Sequence, residues 1–314
     1  MTTSVVHTAA VRAAPIDDVE VVAGVEFDVE QLGPHMGARL SGIDVPCAND
    51  AQIGALRVAL AEYRVLVLRD QHITDGQHVE FAGRIGDLTA GHPVWDSGAD
   101  VPEQMYSLDS ADNGFADVWH TDVTFMPRPP AASILRPIVL PDVGGDTSWA
   151  DGEAAYTSLS SPLQRLADEL TAVHDGDREF GYYLRHPRGG TGNRWDGAEV
   201  TSLAPVRHPV VRVHPVTGRK ALFVNPGFTS HIEGVSEAES RGLLDVFYNH
   251  LTRPEHLVRH SWRVGDIVLW DNRSTLHYAN RDYSQRRVMH RVTLRGDRPV
   301  GPSGPVEPFG GLSV

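Results

Sequence analysis

The run Val65-Leu66-Val67-Leu68 is apolar at every position and bounded by polar residues, which predicts a short strand buried on both faces. Helical spacing flanks it. Ile53, Leu56, Leu60 and Tyr63 recur at three- and four-residue steps behind Asn49 or Asp50, either of which can cap a helix. Thr74 opens a second helix carrying Val79, Ala82 and Ile85, and Ser236 opens a third that runs to about Leu251, with Leu243, Leu244, Phe247 and Leu251 on one side. A further helical stretch is expected from about Pro162 to Val173. Strands are expected near Met105 to Leu108, Ala131 to Leu140 and Thr147 to Ala150, the last two separated by the Gly144-Gly145 turn. Val210 to Val213 and Lys220 to Val224 read as a hairpin, and Val258 to Trp262 with Ile267 to Trp270 as two more strands. Between Phe27 and Val45, Gly33, Pro34, Gly37 and Gly42 punctuate short strands and turns.

Many short strands with Gly/Pro turns and a few helices predict a mainly β fold: a double-stranded β-helix (jelly-roll) core with helical insertions. One domain over residues 21–314 is expected, preceded by an Ala/Val/Thr-rich arm over residues 1–20. Residues 175–205 are polar, contain Arg-Gly-Gly-Thr-Gly at 188–192, and lack periodicity; they read equally as a lid or as a surface insertion. No G-x-G-x-x-G after a strand and no G-x-x-x-x-G-K-[ST] points to a nucleotide fold.

The formal charge of −13 over 314 residues argues against a nucleic-acid partner, because phosphate backbones attract basic surfaces. No apolar run approaches the ~20 residues of a spanning helix, and Met1 to Ala14 lacks the apolar core of a secretory signal. The single Cys47 rules out an internal disulfide and fits a reducing compartment, so a cytoplasmic protein without a membrane partner is expected.

Candidate chemistry starts at His120-Thr121-Asp122. If this segment is a strand, residues i and i+2 share a face and can chelate one ion while Thr121 faces elsewhere. With 16 histidines in the chain, an isolated His-x-Asp reads as readily as a surface ion pair. His277, far downstream between Leu276 and Tyr278, would complete two imidazoles and one carboxylate, the facial triad that holds non-haem Fe(II) with positions left open. It reads equally as a satisfied strand-end histidine.

The chain resembles the TauD/TfdA family of Fe(II)- and 2-oxoglutarate-dependent dioxygenases, in its taurine-oxidising branch. The matching blocks run from Phe27 through Leu32-Gly33-Pro34 to Ser41-Gly42, then Val67 to Gln71, Gly91 to Val94, Trp119 to Phe125 and Gly144 to Thr147. They continue with His208 to Val211, Ala221 to Asn225 and Leu269 through Arg273 to Asp297. The resemblance implies that His120, Asp122 and His277 bind Fe(II) and that Arg287 and Thr147 anchor 2-oxoglutarate, with O2 as second co-substrate. It assigns His92, Arg291 and the Val123 backbone N–H to the sulfo group of a small anion, and Phe180 and Phe228 to the pocket wall. It also implies a homo-dimer or homo-tetramer.

Three departures qualify these assignments. The stretch from Tyr283 to Arg286 is one residue shorter than in relatives, which leaves Arg286 as an alternative to Arg287. Ala116 stands where taurine enzymes carry an Asn, and Trp95 replaces a smaller aromatic. Hydroxylation next to the sulfo group of taurine or a related sulfonate, releasing sulfite, is the expected reaction. An alkyl sulfate ester, a phenoxyacetate or another small anion is the alternative substrate, and a 2-oxoglutarate-binding pseudoenzyme is the reading from a different class.

Overall fold

The computed structural model describes residues 27–94, 100–112, 116–177, 180, 194–195, 198–200 and 203–309. The arm over residues 1–20, most of the 175–205 stretch and Trp95 lie outside the described residues.

Mainly β sheets with a few helices make up the protein. A seven-stranded sheet takes the order Asp28–Gln31, Ala38–Ser41, Val65–Leu68, Ile267–Asp271, Ala132–Val139, Val288–Leu294, Met105–Asp109. Only Ala38–Ser41 and Val65–Leu68 pair in parallel within it. A three-stranded antiparallel sheet sets Thr147–Asp151 between Leu257–His260 and Thr275–Ala279.

The alternation of strand side chains explains how these layers meet. Val65 and Val67 point to one side, where they join Leu135, Val268, Trp270 and Met289 of the large sheet and Trp149 and Val258 of the small one. Leu66 and Leu68 point to the other and pack with Leu56, Leu60, Phe81 and Ile85 from the helices Asp50–Tyr63 and Asp75–Ile85. The outer face of the small sheet, through Ala150 and Leu276, meets Leu244, Phe247 and Leu251 of the helix Glu237–Leu251. The layers are therefore helix, sheet, sheet, helix. Each fully buried Leu, Val or Phe contributes roughly 1.5–3 kcal/mol to holding them.

Three helices start where the polar signals place them. Asn49 with Gln52, Thr74 with Gln77 and Ser236 with Glu239 each form a reciprocal capping box, a device that contributes about 1 kcal/mol per cap. The expected helix from Pro162 to Val173 needs correction. It is a helix only over Ser161–Glu169, and Thr171–His174 is a strand between Val206–Pro209 and Thr229–Ile232. Pairing on both edges outweighs a helical periodicity that the sequence carried past Leu170. The helix Gly152–Ser158 was not expected. It begins at a glycine because a Cβ there would meet the Ser274 carbonyl oxygen at 2.8 Å, and the Asp151 carboxylate caps it through the Glu153 and Ala154 N–H groups.

Candidate active site

Backbone pairing brings the two distant histidines together. His120 N–H donates to the His277 carbonyl at 3.1 Å and receives the return bond at 2.7 Å, an isolated bridge on the strand Thr275–Ala279. The ring centroids lie 4.1 Å apart. Beyond His120 the chain is a turn rather than the expected strand: Val123 takes a φ of +41° and Met126 N–H closes back onto the Val123 carbonyl. Thr121 still faces away, its hydroxyl donating to the Thr275 carbonyl at 2.8 Å. The turn delivers Asp122 Oδ1 to 4.0 Å from His120 Nε2 and 3.7 Å from His277 Nε2. One ligand atom from each residue falls within 4.8 Å of the others.

The surroundings prepare these groups for a cation. His120 Nδ1–H donates to the Val118 carbonyl at 2.7 Å, which leaves the Nε2 lone pair for a metal. Trp270 packs on the His277 ring at 4.8 Å. Burial pushes the pKa of both imidazoles down, so both are neutral, the form a metal binds. Burial opposes ionisation of Asp122, but the Arg291 guanidinium and the Ser133 hydroxyl outweigh it and hold the carboxyl below the usual carboxylate range. Ser133 donates to Oδ2 at 2.5 Å, and Asn272 Nδ2 donates to the Ser133 oxygen at 2.8 Å. Asn272 is in turn held by Trp270 Nε1–H at 2.9 Å. Two neutral imidazoles and one oriented carboxylate fit a divalent, Fe(II)-type ion.

Arg287 is buried, with Nε donating to the Gly145 carbonyl at 3.0 Å and Nη2 lying 3.5 Å from Thr147 Oγ1. Trp262 Nε1–H fixes the same hydroxyl at 2.9 Å. Gly145 has a φ of +73°, and a Cβ there would sit 3.1 Å from the Arg287 Cδ. Burial lowers the Arg287 pKa, yet a guanidinium stays charged in proteins. Arg286 points outward to Asp109, so Arg287 is the arginine on the inner face.

His92, Arg291, Phe180, Phe228 and Val123 gather on the adjoining side, all buried. The His92 ring lies 5.2 Å from Phe180, and Phe125 stands 5.4 Å from Phe180 and 4.9 Å from Phe228. Phe228 meets the His120 ring edge-on at 6.1 Å, so an aromatic wall connects the two histidines. Val94, Val123 and Leu203 complete this apolar cluster. His92 Nδ1 accepts the Val94 N–H at 3.1 Å, which puts the ring proton on Nε2. Burial, helped by Arg291, pushes the His92 pKa down to about 3. It therefore meets an anion as a neutral donor. Arg291 pairs with Asp122 Oδ1, the oxygen a metal would take, and its guanidinium lies 5.6 Å from the Tyr106 ring centroid. Tyr106 pairs with Arg291 across the strands and lies 5.2 Å from the His92 ring. Ala116 contributes only its carbonyl, which accepts the Ala279 N–H.

Tyr106, Ser133 and Asn272 were missed by sequence reasoning. Ser133 alone left a trace, as a polar residue between Ala132 and Ile134-Leu135 at the start of a largely buried strand.

A His-Asp-His cluster between two sheets has the donor set of a mononuclear non-haem metal site. Comparison with known proteins narrows it. Residues 28–293 match the family model described as taurine catabolism dioxygenase TauD, TfdA family. An alpha-ketoglutarate-dependent sulfate ester dioxygenase from Pseudomonas putida is 39% identical over 282 residues, covering 89% of this chain and 93% of that one. The crystal structure of a taurine dioxygenase from Burkholderia xenovorans superposes with a TM-score of 0.75 at 38% identity, covering 88% of this chain and 92% of that one. AAD-2, solved with Mn(II) and N-oxalylglycine, superposes with a TM-score of 0.72 at 30% identity, over 88% and 99% of the two chains. The chain belongs to the TauD/TfdA dioxygenase family. It is thus an enzyme of the class that works with Fe(II), 2-oxoglutarate and O2.

Proposed function

We propose that the two facing sheets form a jelly-roll core around a site that oxidises the carbon bearing the sulfo group of a small organic anion, taurine or a related sulfonate or alkyl sulfate ester. The observation that carries this reading is the convergence of three separate devices. His120, Asp122 and His277 would hold Fe(II), Arg287 with Thr147 stands at one side, and His92 with Arg291 and an aromatic wall stands at the other. Bound iron supplies the coupling of 2-oxoglutarate decarboxylation to C–H oxidation by O2.

The protein's own part is binding and orientation. The Arg287 guanidinium and the Thr147 hydroxyl offer paired donors to the distal carboxylate of 2-oxoglutarate, in a pocket where charge-assisted bonds are strong. The sulfo group takes hydrogen bonds from His92 Nε2–H, the Arg291 guanidinium and the Val123 N–H. Phe125, Phe180 and Phe228 exclude water and hold the remainder of the substrate. Hydroxylation of the carbon bonded to sulfur, or to the ester oxygen, gives an adduct that collapses to an aldehyde with loss of sulfite or sulfate; succinate and CO2 are the co-products.

Among these substrates, the wall favours an apolar tail. Val94, Val123, Phe125, Phe180, Leu203 and Phe228 are all hydrocarbon, and Ala116 brings no side-chain partner for an ammonium group. An alkyl sulfate or alkyl sulfonate is accordingly the better substrate, with taurine the weaker. The test is release of sulfite or sulfate from taurine, hexanesulfonate and hexyl sulfate by the purified enzyme with Fe(II), 2-oxoglutarate and air, against a control lacking 2-oxoglutarate. Succinate formation stimulated by phenoxyacetate but by none of the three sulfur compounds would sink the sulfo-group assignment.

A further inference from the structure

Val123 holds a φ of +41°, a left-handed backbone that a β-branched residue adopts only where its surroundings over-determine it. The next residue shows what those surroundings are. Thr124 is wholly buried, and its hydroxyl receives Asn225 Nδ2–H at 3.0 Å while standing 2.9 Å from His174 Nδ1. Its carbonyl and that of Met126 both accept from His208 Nε2–H, at 2.9 and 3.2 Å. Asn225 Oδ1 accepts the Phe228 N–H at 2.8 Å, so the same side chain fixes the wall of the pocket. The two imidazoles meet edge to face at 5.0 Å, and Phe223 packs on both. None of these four polar side chains belongs to the metal cluster or to the devices assigned to co-substrate and substrate.

A polar network of this size is a poor way to gain stability alone, since apolar residues of the same volume would serve; what it specifies is one arrangement of the backbone. We propose that Thr124, His174, His208 and Asn225 are positioning residues that clamp the strained Val123 turn, keeping its N–H aimed at the anion and Phe228 seated in the wall. The inference rests on the reading of Val123 as part of the anion site. Its logic is geometric. Releasing Thr124 lets the Asp122–Val123 peptide turn through coupled changes in Asp122 ψ and Val123 φ, which carries the Val123 N–H away from the bound oxyanion while the Asp122 carboxylate remains held by Ser133.

The experiment compares Thr124→Val, which keeps shape and loses the hydroxyl, with Thr124→Ser, which keeps the hydroxyl. Hexyl sulfate, taurine and phenoxyacetate are the substrates, and 2-oxoglutarate is varied separately. Thr124→Val should raise KM for the anion that the wild type consumes tenfold or more, with KM for 2-oxoglutarate and Mn(II) affinity within twofold. Thr124→Ser should recover most of the loss. Val123→Gly placed in the Thr124→Val background should recover part of it, because glycine holds positive φ unaided. A wild-type KM in Thr124→Val overturns the proposal; so does a joint shift of substrate KM, 2-oxoglutarate KM and metal affinity, the mark of a general structural role. If Thr124→Val does not fold, His208→Phe, which removes the donor to the turn carbonyls, carries the same KM test, with His208→Gln, which keeps an amide donor, as its rescue. Turnover of phenoxyacetate alone would refute the sulfo-group reading and leave the Thr124 comparison to be read on a carboxylate.

Discussion

Ser133→Ala removes one hydroxyl, and the structure says how much that hydroxyl holds. Its donor bond to Asp122 Oδ2 is 2.5 Å long, buried, and made to an ionised group, a class of bond that contributes about 1.5–3 kcal/mol. Asn272 Nδ2 already stands 3.5 Å from the same oxygen, so it can close in and recover part of the loss. The alanine leaves almost no cavity, and the remaining effect falls on the orientation of the carboxylate and on its pKa, which rises when the donor is lost. Partners that orient a metal ligand typically govern 10- to 100-fold in affinity, the range the hydrogen-bond energy also gives. Mn(II) binding measured by calorimetry at neutral pH should therefore weaken about 10- to 100-fold, with a melting temperature only a few degrees (~2–5 °C) below wild type in the absence of metal. The weakening should deepen toward acid, because the raised Asp122 pKa lets protons compete with the metal. An affinity within twofold of wild type would refute the claim that Ser133 sets the ligand, and would leave Asn272 as the residue to blame.

Other perturbations test separate joints of the site. A Cβ at Gly227 would lie 2.9 Å from the His120 Cβ, so Gly227→Ala should displace that ligand and weaken Mn(II) binding at least tenfold; calorimetry reads it, and unchanged affinity would contradict the contact. Arg287→Lys keeps a charge but loses the planar fork and should raise KM for 2-oxoglutarate tenfold or more, whereas Arg286→Gln should leave it within twofold; the reverse outcome would reassign the anchor. Arg291→Gln should raise KM for the sulfur substrate steeply while leaving Mn(II) affinity equal or higher, because the guanidinium no longer competes for Asp122 Oδ1; a fall in metal affinity would show the ion pair supports the ligand instead. Burial pushes the pKa of His78 and His92 down to about 3 and of His208 down to about 4. The unfolded chain takes up these protons near pH 6.5 and the folded one does not. Stability is therefore full above that value and falls as the medium is acidified toward the folded values, by about 1 kcal/mol for each histidine one unit below pH 6.5. Thermal melts across pH 7 to 5 that show no decline would refute the burial of all three.

The sequence announced elements whose signal is local. Capping boxes at Asn49, Thr74 and Ser236 and the apolar run at Val65–Leu68 need no knowledge of the rest of the chain. The Thr171–His174 strand is another matter. Its identity comes from two partners distant in sequence, Val206–Pro209 and Thr229–Ile232, and nothing inside four residues distinguishes it from the end of the preceding helix. The Gly152 helix is hidden for a related reason. Its glycine answers to the carbonyls of Ser274 and Leu222, and a glycine read in isolation signals a turn.

The site divides along the same line, and the strand Val288–Leu294 shows why. Arg287, Met289 and Arg291 alternate onto the inner face, toward Gly145, Trp149 and Asp122. Arg286, His290 and Val292 take the outer face, where His290 pairs with Asp75 and Val292 joins the helices. A period of two, carried back from Arg291 to the residues just before the strand, thus agrees with Arg287 facing inward and Arg286 outward. The choice stays open only while the position is counted from His277 across a loop. Counted backward from Arg291, it falls on Arg287. The supporting residues lacked any such rule: Ser133, Asn272 and Tyr106 reach the site from three different strands or turns, and ordinary Ser, Asn and Tyr acquire their roles only when cross-strand register sets them against Asp122 and Arg291. Ligands are legible because their chemistry is rare, whereas their supports are common residues that only the assembled sheet makes specific.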